Sequence, residues 1–196
     1  PNDLAYTSIA LAPHTDNPYR KPIPCIQLLH CLENKVKGGL STLVDGFAVA
    51  KYLKKNHQNF FNILTKTKVR FRFVDKSIIL ENWGELIELD EKNEIKQVRY
   101  STRLDYVPIL EKKEIGLFYK ARKLISELYA SKKFEIKFKL EQGDLLMMDN
   151  HRLLHGRTSY DPNEGKRYLK GCYIDHDSTE GKLRHLERKF KKNEKS

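Results

Sequence analysis

The chain of 196 residues is 39% hydrophobic and 32% charged, which suits one globular domain with a packed core and predicts order almost throughout. No apolar run approaches the ~18 residues of a membrane span, and the N-terminus lacks a leader-like pattern, so we expect a cytoplasmic protein with no membrane partner. The formal net charge of +11 would suit a nucleic-acid-binding protein, but nearly half of that excess falls in residues 182–196, with seven Lys/Arg against two Glu.

The N-terminal half is predicted to be mostly β-structure. Residues 25–32 form a short, nearly continuous apolar run, which is typical of a buried strand. A Gly-Gly turn at 38–39 leads to a second strand through Leu43 and Val44, and Asp45 suits the N-cap of a following helix. Four further strand-like pieces come next, namely VRFRFV, SIILE, ELIELD and IKQVRY.

The C-terminal half begins with an amphipathic helix over residues 112–130, where apolar side chains recur every three or four positions. Residues 134–140 alternate strictly between apolar and polar and predict a strand, as do residues 145–150 and 166–175. Residues 181–196 are expected to form a solvated helix end or tail rather than a binding arm, so no nucleic-acid partner is expected. The pattern predicts a single, mainly β domain with two or three flanking helices.

The three cysteines, Cys25, Cys31 and Cys172, lie in apolar, strand-like stretches without C-x-x-C spacing. Because their number is odd and the expected location is reducing, we expect buried free thiols rather than a disulfide or a zinc site.

Two stretches hold candidate metal ligands. PHTDNPYRKP contains His14 and Asp16, whose side chains point the same way if the chain is extended. His-x-Asp is weak evidence by itself, but a mononuclear iron(II) site needs two imidazoles and one carboxylate. DNHRLLHGRTSY supplies His155 as the candidate third ligand and His151 as its rival.

The last predicted strand has one unusual face. Counting by two from Arg167 places Leu169, Gly171 and Tyr173 on the same side. An arginine, a glycine and a tyrosine make a poor core but a plausible pocket wall, and the planar guanidinium can bond both oxygens of a carboxylate. Arg157 is a weaker candidate for the same role.

Three stretches together resemble a known family: AYTSIALAPHTDNPY, IQLLHCLENKVKGGLSTLVDGFAVAKYLKK and DNHRLLHGRTSYDPNEGKRYLKGCY. They are similar to the catalytic domain of the γ-butyrobetaine and trimethyllysine dioxygenases, within the taurine dioxygenase-like (TauD/TfdA) Fe(II)/2-oxoglutarate oxygenases. The resemblance implies a double-stranded β-helix, a jelly-roll-like pair of sheets with the metal between them. It predicts a catalytic domain over residues 1–180, without the family's N-terminal region, followed by the basic segment 181–196.

The resemblance also implies the chemistry. Iron(II) would be bound by His14, Asp16 and His155, with 2-oxoglutarate as cosubstrate, O2 as oxidant and ascorbate as an additional cofactor. The reaction would hydroxylate an unactivated C–H bond of a small substrate bearing a trimethylammonium group, with release of succinate and CO2. The expected partner is this small molecule, and a homodimer is an open expectation.

Six further positions match residues that line the family's two pockets. The 2-oxoglutarate pocket is assigned to Arg167, Ser41 and Leu29, with the arginine on the distal carboxylate. The substrate side is assigned to Tyr6, Tyr173 and Asp3. Aromatic faces suit a quaternary ammonium group because it cannot donate hydrogen bonds.

Several positions depart from the family pattern. Leu40 replaces the acidic residue after Gly-Gly, His151 follows Asp-Asn where the family has Trp, and Ser101 and Thr102 stand near the family's Asn-Asn pair. These departures spare the metal ligands and fall on the substrate side. Three other functions stay open: a taurine- or sulfonate-type oxygenase, a zinc hydrolase using the same ligands, and an inactive or nucleic-acid-binding basic domain.

Overall fold

The computed structural model describes residues 7–193. The strands are β1 Leu11–His14, β2 Ile26–Asn34, β3 Ser41–Asp45, β4 Lys68–Val74, β5 Ile79–Glu85, β6 Ile87–Leu89, β7 Ile95–Val98, β8 Asp105–Tyr106, β9 Glu135–Phe138, β10 Leu145–Asp149, β11 Leu153–Arg157 and β12 Arg167–Ile174. The helices are α1 Gly46–Asn56, α2 Gln58–Lys66, α3 Lys112–Tyr129 and α4 His176–Asn193.

Two antiparallel sheets carry the functional residues. The first has the strand order β1-β11-β3-β9, and the second has the order β10-β2-β12. Asp16, which follows β1 of the first sheet, accepts hydrogen bonds from Gln27 and Tyr173 of the second. The inner faces of the two sheets therefore meet at this carboxylate, as expected for a jelly-roll-like pair. A smaller sheet, β5-β4-β8, and the β6-β7 hairpin complete the β-structure.

Helices α1, α2 and α3 pack against the sheets over a continuous apolar core. Its fully buried side chains come from helices and strands alike, including Leu53, Leu64, Phe118, Phe71 and Ile87. Burying each such side chain contributes about 1.5–3 kcal/mol. This apolar core therefore lies between the helices, the first sheet and the smaller β-structures.

Two local features position β11 beside its neighbours. Asp45 ends β3 and caps α1, because its side chain accepts from the backbone N–H groups of Phe47 at 3.0 Å and Ala48 at 3.2 Å. Gly156 lies where β1 crosses close to β11, since a Cβ built there would be 2.4 Å from the carbonyl oxygen of Leu11. Only glycine allows this approach, which brings the end of β1 beside its partner strand.

The predicted mainly β fold is confirmed, with differences in detail. Helix α2 and strand β11 were not predicted, and the four helices exceed the expected two or three. Cys172 was expected to be buried but is exposed on the outer face of β12. Ile136 lies on the predicted apolar face but is 61% exposed, because β9 is a short strand at the edge of its sheet.

The basic C-terminal segment is helical, which is one of the two forms that the sequence predicted, a solvated helix end or a tail. Helix α4 begins at His176, so the predicted boundary at residue 180 falls inside it. Its described side chains are nearly all exposed, and Leu183 and Phe190 are 57% and 61% exposed. Among the helices of residues 7–193, none combines the length and apolar character that crossing a membrane requires.

Candidate metal centre

The two candidate histidine ligands lie on neighbouring strands. His14 ends β1, His155 lies in the middle of β11, and the two residues are direct partners in the antiparallel register. Their ring centroids are 4.5 Å apart, with an angle of 44° between the ring planes. Strand pairing therefore places two imidazoles side by side at the mouth between the sheets.

Asp16 completes the group. Its Oδ1 is 3.4 Å from Nε2 of His14, and its Oδ2 is 3.7 Å from Nε2 of His155. One donor atom from each of the three residues lies within 4.8 Å of the other two. Two imidazoles and one carboxylate that converge in this way form the donor set of a non-haem iron(II) site. The predicted ligands are thus brought together by the fold.

Hydrogen bonds orient the ligand atoms. Nδ1 of His14 donates to the carbonyl oxygen of Ala12 at 2.8 Å, which leaves the lone pair on Nε2, the nitrogen near Asp16. Oδ2 of Asp16 accepts from Nε2 of Gln27 and from the hydroxyl of Tyr173, both at 2.6 Å. These bonds leave Oδ1 as the less occupied oxygen. Partners of this kind fix the direction of metal ligands and tune their basicity.

Electrostatics favours the protonation states that a metal ion requires. Burial opposes ionisation of Asp16, but the imidazoles of His155 and His14 and the hydroxyl of Tyr173 outweigh it and hold the pKa of Asp16 below its usual value. Burial lowers the pKa of His155 to about 4, against the attraction of Asp16. Burial and the neighbouring carboxylate raise the pKa of Tyr173, so that its hydroxyl remains a donor.

The donor set fits a divalent transition ion. At neutral pH the pKa shifts give one carboxylate and at least one neutral imidazole, as metal binding requires. Nδ1 of His155 is buried and has no hydrogen-bond partner within residues 7–193, and no Lys or Arg of that range pairs with Asp16. The cluster therefore contains a carboxylate that no lysine or arginine of the described range neutralises, and a bound cation would balance its charge.

His151, the rival third ligand, lies elsewhere. Its backbone N–H donates to Asp149, and its ring contacts the ring of His176 edge-on at a centroid distance of 4.9 Å. It belongs to a different cluster, with Cys25. The four-residue spacing from His155 spans the turn between β10 and β11, so the two rings diverge. In this geometry His155, not His151, faces the other two ligands.

Arg167 and Arg157 have different surroundings. Nε of Arg167 is buried without a hydrogen-bond partner, and within residues 7–193 this arginine forms no ion pair. Its guanidinium stacks over the ring of Tyr160 at 5.5 Å. Gly39, in the left-handed region with φ +59°, makes room, since a Cβ there would be 3.0 Å from Nε of Arg167. Burial lowers the pKa of Arg167. An anion would compensate this buried cation.

Arg157 is instead engaged with the backbone. Its guanidinium donates to the carbonyl oxygen of Thr7 and, at 3.2 and 3.3 Å, to that of Ile9. These bonds tie the segment before β1 to β11. The environment of Arg157 is that of a structural residue, and the assignment of Arg167 to the cosubstrate stays a prediction that this contrast favours.

The other predicted pocket residues lie on the two sheets. Ser41 is buried at the start of β3, opposite Arg157. Leu29 lies opposite Gly171, where a Cβ would be 3.1 Å from its Cδ2, and on the same face of β2 as Gln27. Their contact with 2-oxoglutarate stays a prediction.

Among the predicted substrate residues, Tyr173 lies opposite Gln27 and is 43% exposed, with its hydroxyl on Asp16. One side of its ring is thus available to a ligand while its hydroxyl orients the carboxylate. Asp3 and Tyr6 lie outside the described residues.

A cavity of about 340 Å³ opens beside the ligands. Its lining includes His14 and Asp16 together with Arg72, Arg103 and Tyr106. Arg72 lies 3.8 Å from a carboxylate oxygen of Glu81, whereas no residue in the described range forms an ion pair with Arg103. The cavity lining therefore contains both an anionic carboxylate and cationic guanidinium groups.

Sequence reasoning missed four residues of this region. Gln27 and Asn150 support Asp16, and Arg72 and Arg103 line the adjacent cavity. A polar residue at an inward position of an otherwise apolar strand was a usable signal for Gln27, because a buried amide needs partners. The two arginines carry no comparable signal, since the chain is rich in exposed cations.

Comparison with known proteins gives the family. Residues 1–173 match the Taurine catabolism dioxygenase TauD, TfdA family. Gamma-butyrobetaine dioxygenase of Homo sapiens is 38% identical over 192 residues, which cover 94% of this chain and 49% of that protein. The Pseudomonas sp. (strain AK-1) protein of the same name is 34% identical, covering 94% and 48%. Trimethyllysine dioxygenase of Meyerozyma guilliermondii is 34% identical, covering 93% and 46%.

Solved structures agree on the fold. Asparagine oxygenase in complex with Fe(II), 3-hydroxyasparagine and succinate has a TM-score of 0.68 and 18% identity, covering 85% of this chain and 50% of that one. AAD-2 in complex with Mn(II) and N-oxalylglycine has a TM-score of 0.66 and 17% identity, covering 83% and 67%. The chain spans about half the length of the curated relatives it matches. On this match the chain belongs to the Taurine catabolism dioxygenase TauD, TfdA family.

Proposed function

We propose that the protein is an Fe(II)/2-oxoglutarate-dependent dioxygenase that hydroxylates an unactivated C–H bond of a small trimethylammonium compound similar to γ-butyrobetaine, releasing succinate and CO2. The observation that carries this proposal is the convergence of His14, Asp16 and His155 within 4.8 Å. The relatives named gamma-butyrobetaine dioxygenase and trimethyllysine dioxygenase support the substrate class. A role in carnitine biosynthesis would follow from that substrate.

The chain's residues would bind and orient the reactants. His14, Asp16 and His155 would hold the iron, which supplies the activation of O2 and the oxidation of the C–H bond. Gln27 and Tyr173 keep the carboxylate of Asp16 pointed at the imidazoles. A facial set of three protein ligands leaves the remaining coordination positions to cosubstrate and oxygen.

The cosubstrate would be held by its far carboxylate. Arg167 supplies a buried guanidinium with an unpartnered Nε, and such a charge is costly unless it is paired. A bidentate contact with a carboxylate would satisfy it. Ser41 and Leu29 would form the sides of this pocket, as the resemblance implies.

The substrate would bind across the cavity as a zwitterion. Its trimethylammonium group would face the ring of Tyr173 beside Asp16, with Tyr6 and Asp3 as further expected contacts, while its carboxylate would face Arg103, which lines the cavity together with Asp16. An aromatic face contributes about 0.5–2 kcal/mol to binding a quaternary ammonium group. A short, doubly charged molecule matches a site lined by groups of both charges.

A sulfonate such as taurine is the second candidate substrate, because the two arginines that line the cavity would accept a sulfonate as well as a carboxylate. Ascorbate as an additional cofactor, a homodimer, a cytoplasmic location and a catalytic domain over residues 1–180 remain predictions.

Succinate release by this chain tests the proposal. The assay compares γ-butyrobetaine, its uncharged tert-butyl analogue and taurine, each with iron(II), 2-oxoglutarate and O2. Substrate-dependent succinate with γ-butyrobetaine is expected, with loss in Asp16→Asn and retention in Asp161→Asn, an exposed aspartate on the 3-10 turn at Pro162–Glu164. Preference for taurine or for the neutral analogue would overturn the trimethylammonium assignment but not the oxygenase. No succinate with any compound, despite bound iron, would overturn the activity.

A further inference from the structure

A second cluster of metal-binding side chains lies apart from the group formed by His14, Asp16 and His155, which we call the iron-type centre. Cys25, His151 and His176 each offer one donor atom, and the three atoms lie within 4.8 Å of one another. Cys25 directly precedes β2, His151 lies in the turn after β10, and His176 is the first residue of α4. The fold thus brings one thiol and two imidazoles together from sequence positions that are up to 151 residues apart.

The surroundings of Cys25 suit a sulfur ligand. The side chain is buried, and its Sγ accepts a hydrogen bond from the backbone N–H of His176 at 2.8 Å. A backbone donor of this kind stabilises the negative charge of a bound thiolate. Burial raises the pKa of the Cys25 thiol, so a bound ion would have to displace its proton to solvent.

The two histidines are oriented through their other contacts. Nε2 of His151 lies 3.2 Å from the carbonyl oxygen of Ile23, and a proton on this nitrogen leaves the lone pair on Nδ1. Nε2 of His176 lies 3.8 Å from a carboxylate oxygen of Asp149. Metal-binding histidines are usually held in this way, with one nitrogen toward a carbonyl or carboxylate. Burial also lowers the pKa of His151, which keeps the ring neutral.

The donor set selects the ion. One thiolate and two imidazoles favour a borderline-soft transition ion over Mg²⁺ or Ca²⁺, which prefer oxygen ligands. We propose that Cys25, His151 and His176 bind a Zn²⁺ ion, with water at the fourth position of a tetrahedral site. The zinc ion joins the start of α4, whose other described side chains are nearly all exposed, to β2 and to the β10–β11 turn.

The site is linked to the support of Asp16. The backbone N–H of Asn150, which precedes His151, donates to the carbonyl oxygen of Cys25 at 2.6 Å, and the Asn150 side chain bonds the backbone of Asp16. A bound zinc ion holds Cys25, which accepts a hydrogen bond from Asn150, and His151, which follows Asn150 in the chain. The inference stands on the geometry of its own cluster and is independent of the proposed oxygenase activity.

Cobalt(II) titration of the metal-free, reduced chain tests the site, because cobalt bound to a thiolate absorbs in the near-ultraviolet and cobalt bound by nitrogen and oxygen alone does not. His155→Ala is used to disable the iron-type centre. This variant is expected to keep the thiolate–cobalt band and to bind one zinc equivalent, whereas the unaltered chain binds two. Compared with the unaltered chain, Cys25→Ser and His176→Gln are each expected to lose the thiolate–cobalt band and one of the two zinc equivalents.

Cys172→Ser is the matched control, because this cysteine is exposed and lies outside the cluster, and the variant is expected to keep the band. Zinc is also expected to raise the Tm of His155→Ala but not of the His155→Ala, Cys25→Ser double variant. The inference is overturned if the unaltered chain shows no thiolate band, or if the band survives in Cys25→Ser. If Cys25→Ser does not fold, the result for His176→Gln decides the question. Binding of two zinc equivalents by His176→Gln would then reject the site.

Discussion

The side chain of Asn150 is bonded to both backbone groups of Asp16. Its Oδ1 accepts from the Asp16 N–H at 2.6 Å, and its Nδ2 donates to the Asp16 carbonyl oxygen at 3.0 Å and to that of Pro24 at 2.8 Å. Asn150 is fully buried. The side-chain amide of Asn150 thus makes the two hydrogen bonds that a neighbouring strand would make with Asp16, which lies just beyond the end of β1.

Replacement of Asn150 by Ala is expected to leave buried backbone groups unpaired and to lower the free energy of unfolding by about 1–3 kcal/mol. Because Asp16 loses its support, metal affinity at the iron-type centre is expected to fall about 10–100-fold. Denaturant unfolding and metal titration measure the two effects. Asn163→Ala, at an exposed turn, is the control, with an expected change within about 0.5 kcal/mol. Unchanged metal affinity in Asn150→Ala would show that the backbone of Asp16 is held without it.

The identity of the third ligand is tested with His155→Ala and His151→Ala. His155 faces His14 across the strand pair, whereas His151 packs on His176. The charge-transfer absorption of iron(II) with 2-oxoglutarate is expected to disappear in His155→Ala and to remain in His151→Ala. The reverse pattern would make His151 the ligand.

Arg167→Met is expected to weaken 2-oxoglutarate binding about a hundredfold, because an unpaired buried carboxylate costs about 3 kcal/mol. Calorimetric titration of the metal-loaded chain measures it. Arg157→Met serves as the matched variant, and its expected effect is on the free energy of unfolding, since Arg157 bonds the carbonyl oxygens of Thr7 and Ile9. Loss of affinity in Arg157→Met alone would exchange the two roles.

Tyr173 has two separable expected roles. Tyr173→Phe removes the hydroxyl that donates to Asp16 but keeps the aromatic face, so metal affinity is expected to fall while the KM for a trimethylammonium substrate changes little. Tyr173→Leu also removes the face, and KM is expected to rise by a factor that corresponds to about 0.5–2 kcal/mol. Equal KM values in the two variants would exclude a cation contact with this ring.

Gly156→Ala tests the close approach of β1 to β11. Its added methyl would lie 2.4 Å from the Leu11 carbonyl oxygen, and the strands cannot separate without losing their pairing, so a loss of about 1–3 kcal/mol is expected. Gly116→Ala, in α3 with open space at the Cβ position, is expected to gain about 0.5–1 kcal/mol. Thermal unfolding of both variants checks the contrast, and equal Tm changes would contradict it.

Local chemistry was sufficient to predict several parts of the fold. The Asp45 cap and the amphipathic helix α3 each depend on residues a few positions apart, and both features are confirmed by the structure. The pairing of a His-x-Asp stretch with a distant histidine was also predictable, because few donor sets suit iron(II).

Cross-strand register decided what the sequence left open. His155 rather than His151 meets His14 because β1 pairs with β11 in one register, and a shift by one residue would have turned His155 to the other face. The same pairing commits Arg157 to the backbone before β1, whereas Arg167 lies on β12 of the other sheet and forms no ion pair in the described range.

The sequence alone determined the family and the mainly β architecture and supplied the candidate ligands, with His151 still a rival to His155, because these depend on residue types at short spacing and on their order. Only the tertiary structure decided which histidine serves which cluster. It also revealed that Gln27 and Asn150 hold Asp16, and that Cys25 lies beside His151 and His176. Such contacts join residues more than 100 positions apart, or side chains whose direction is set by the register of another strand, and no local pattern encodes them.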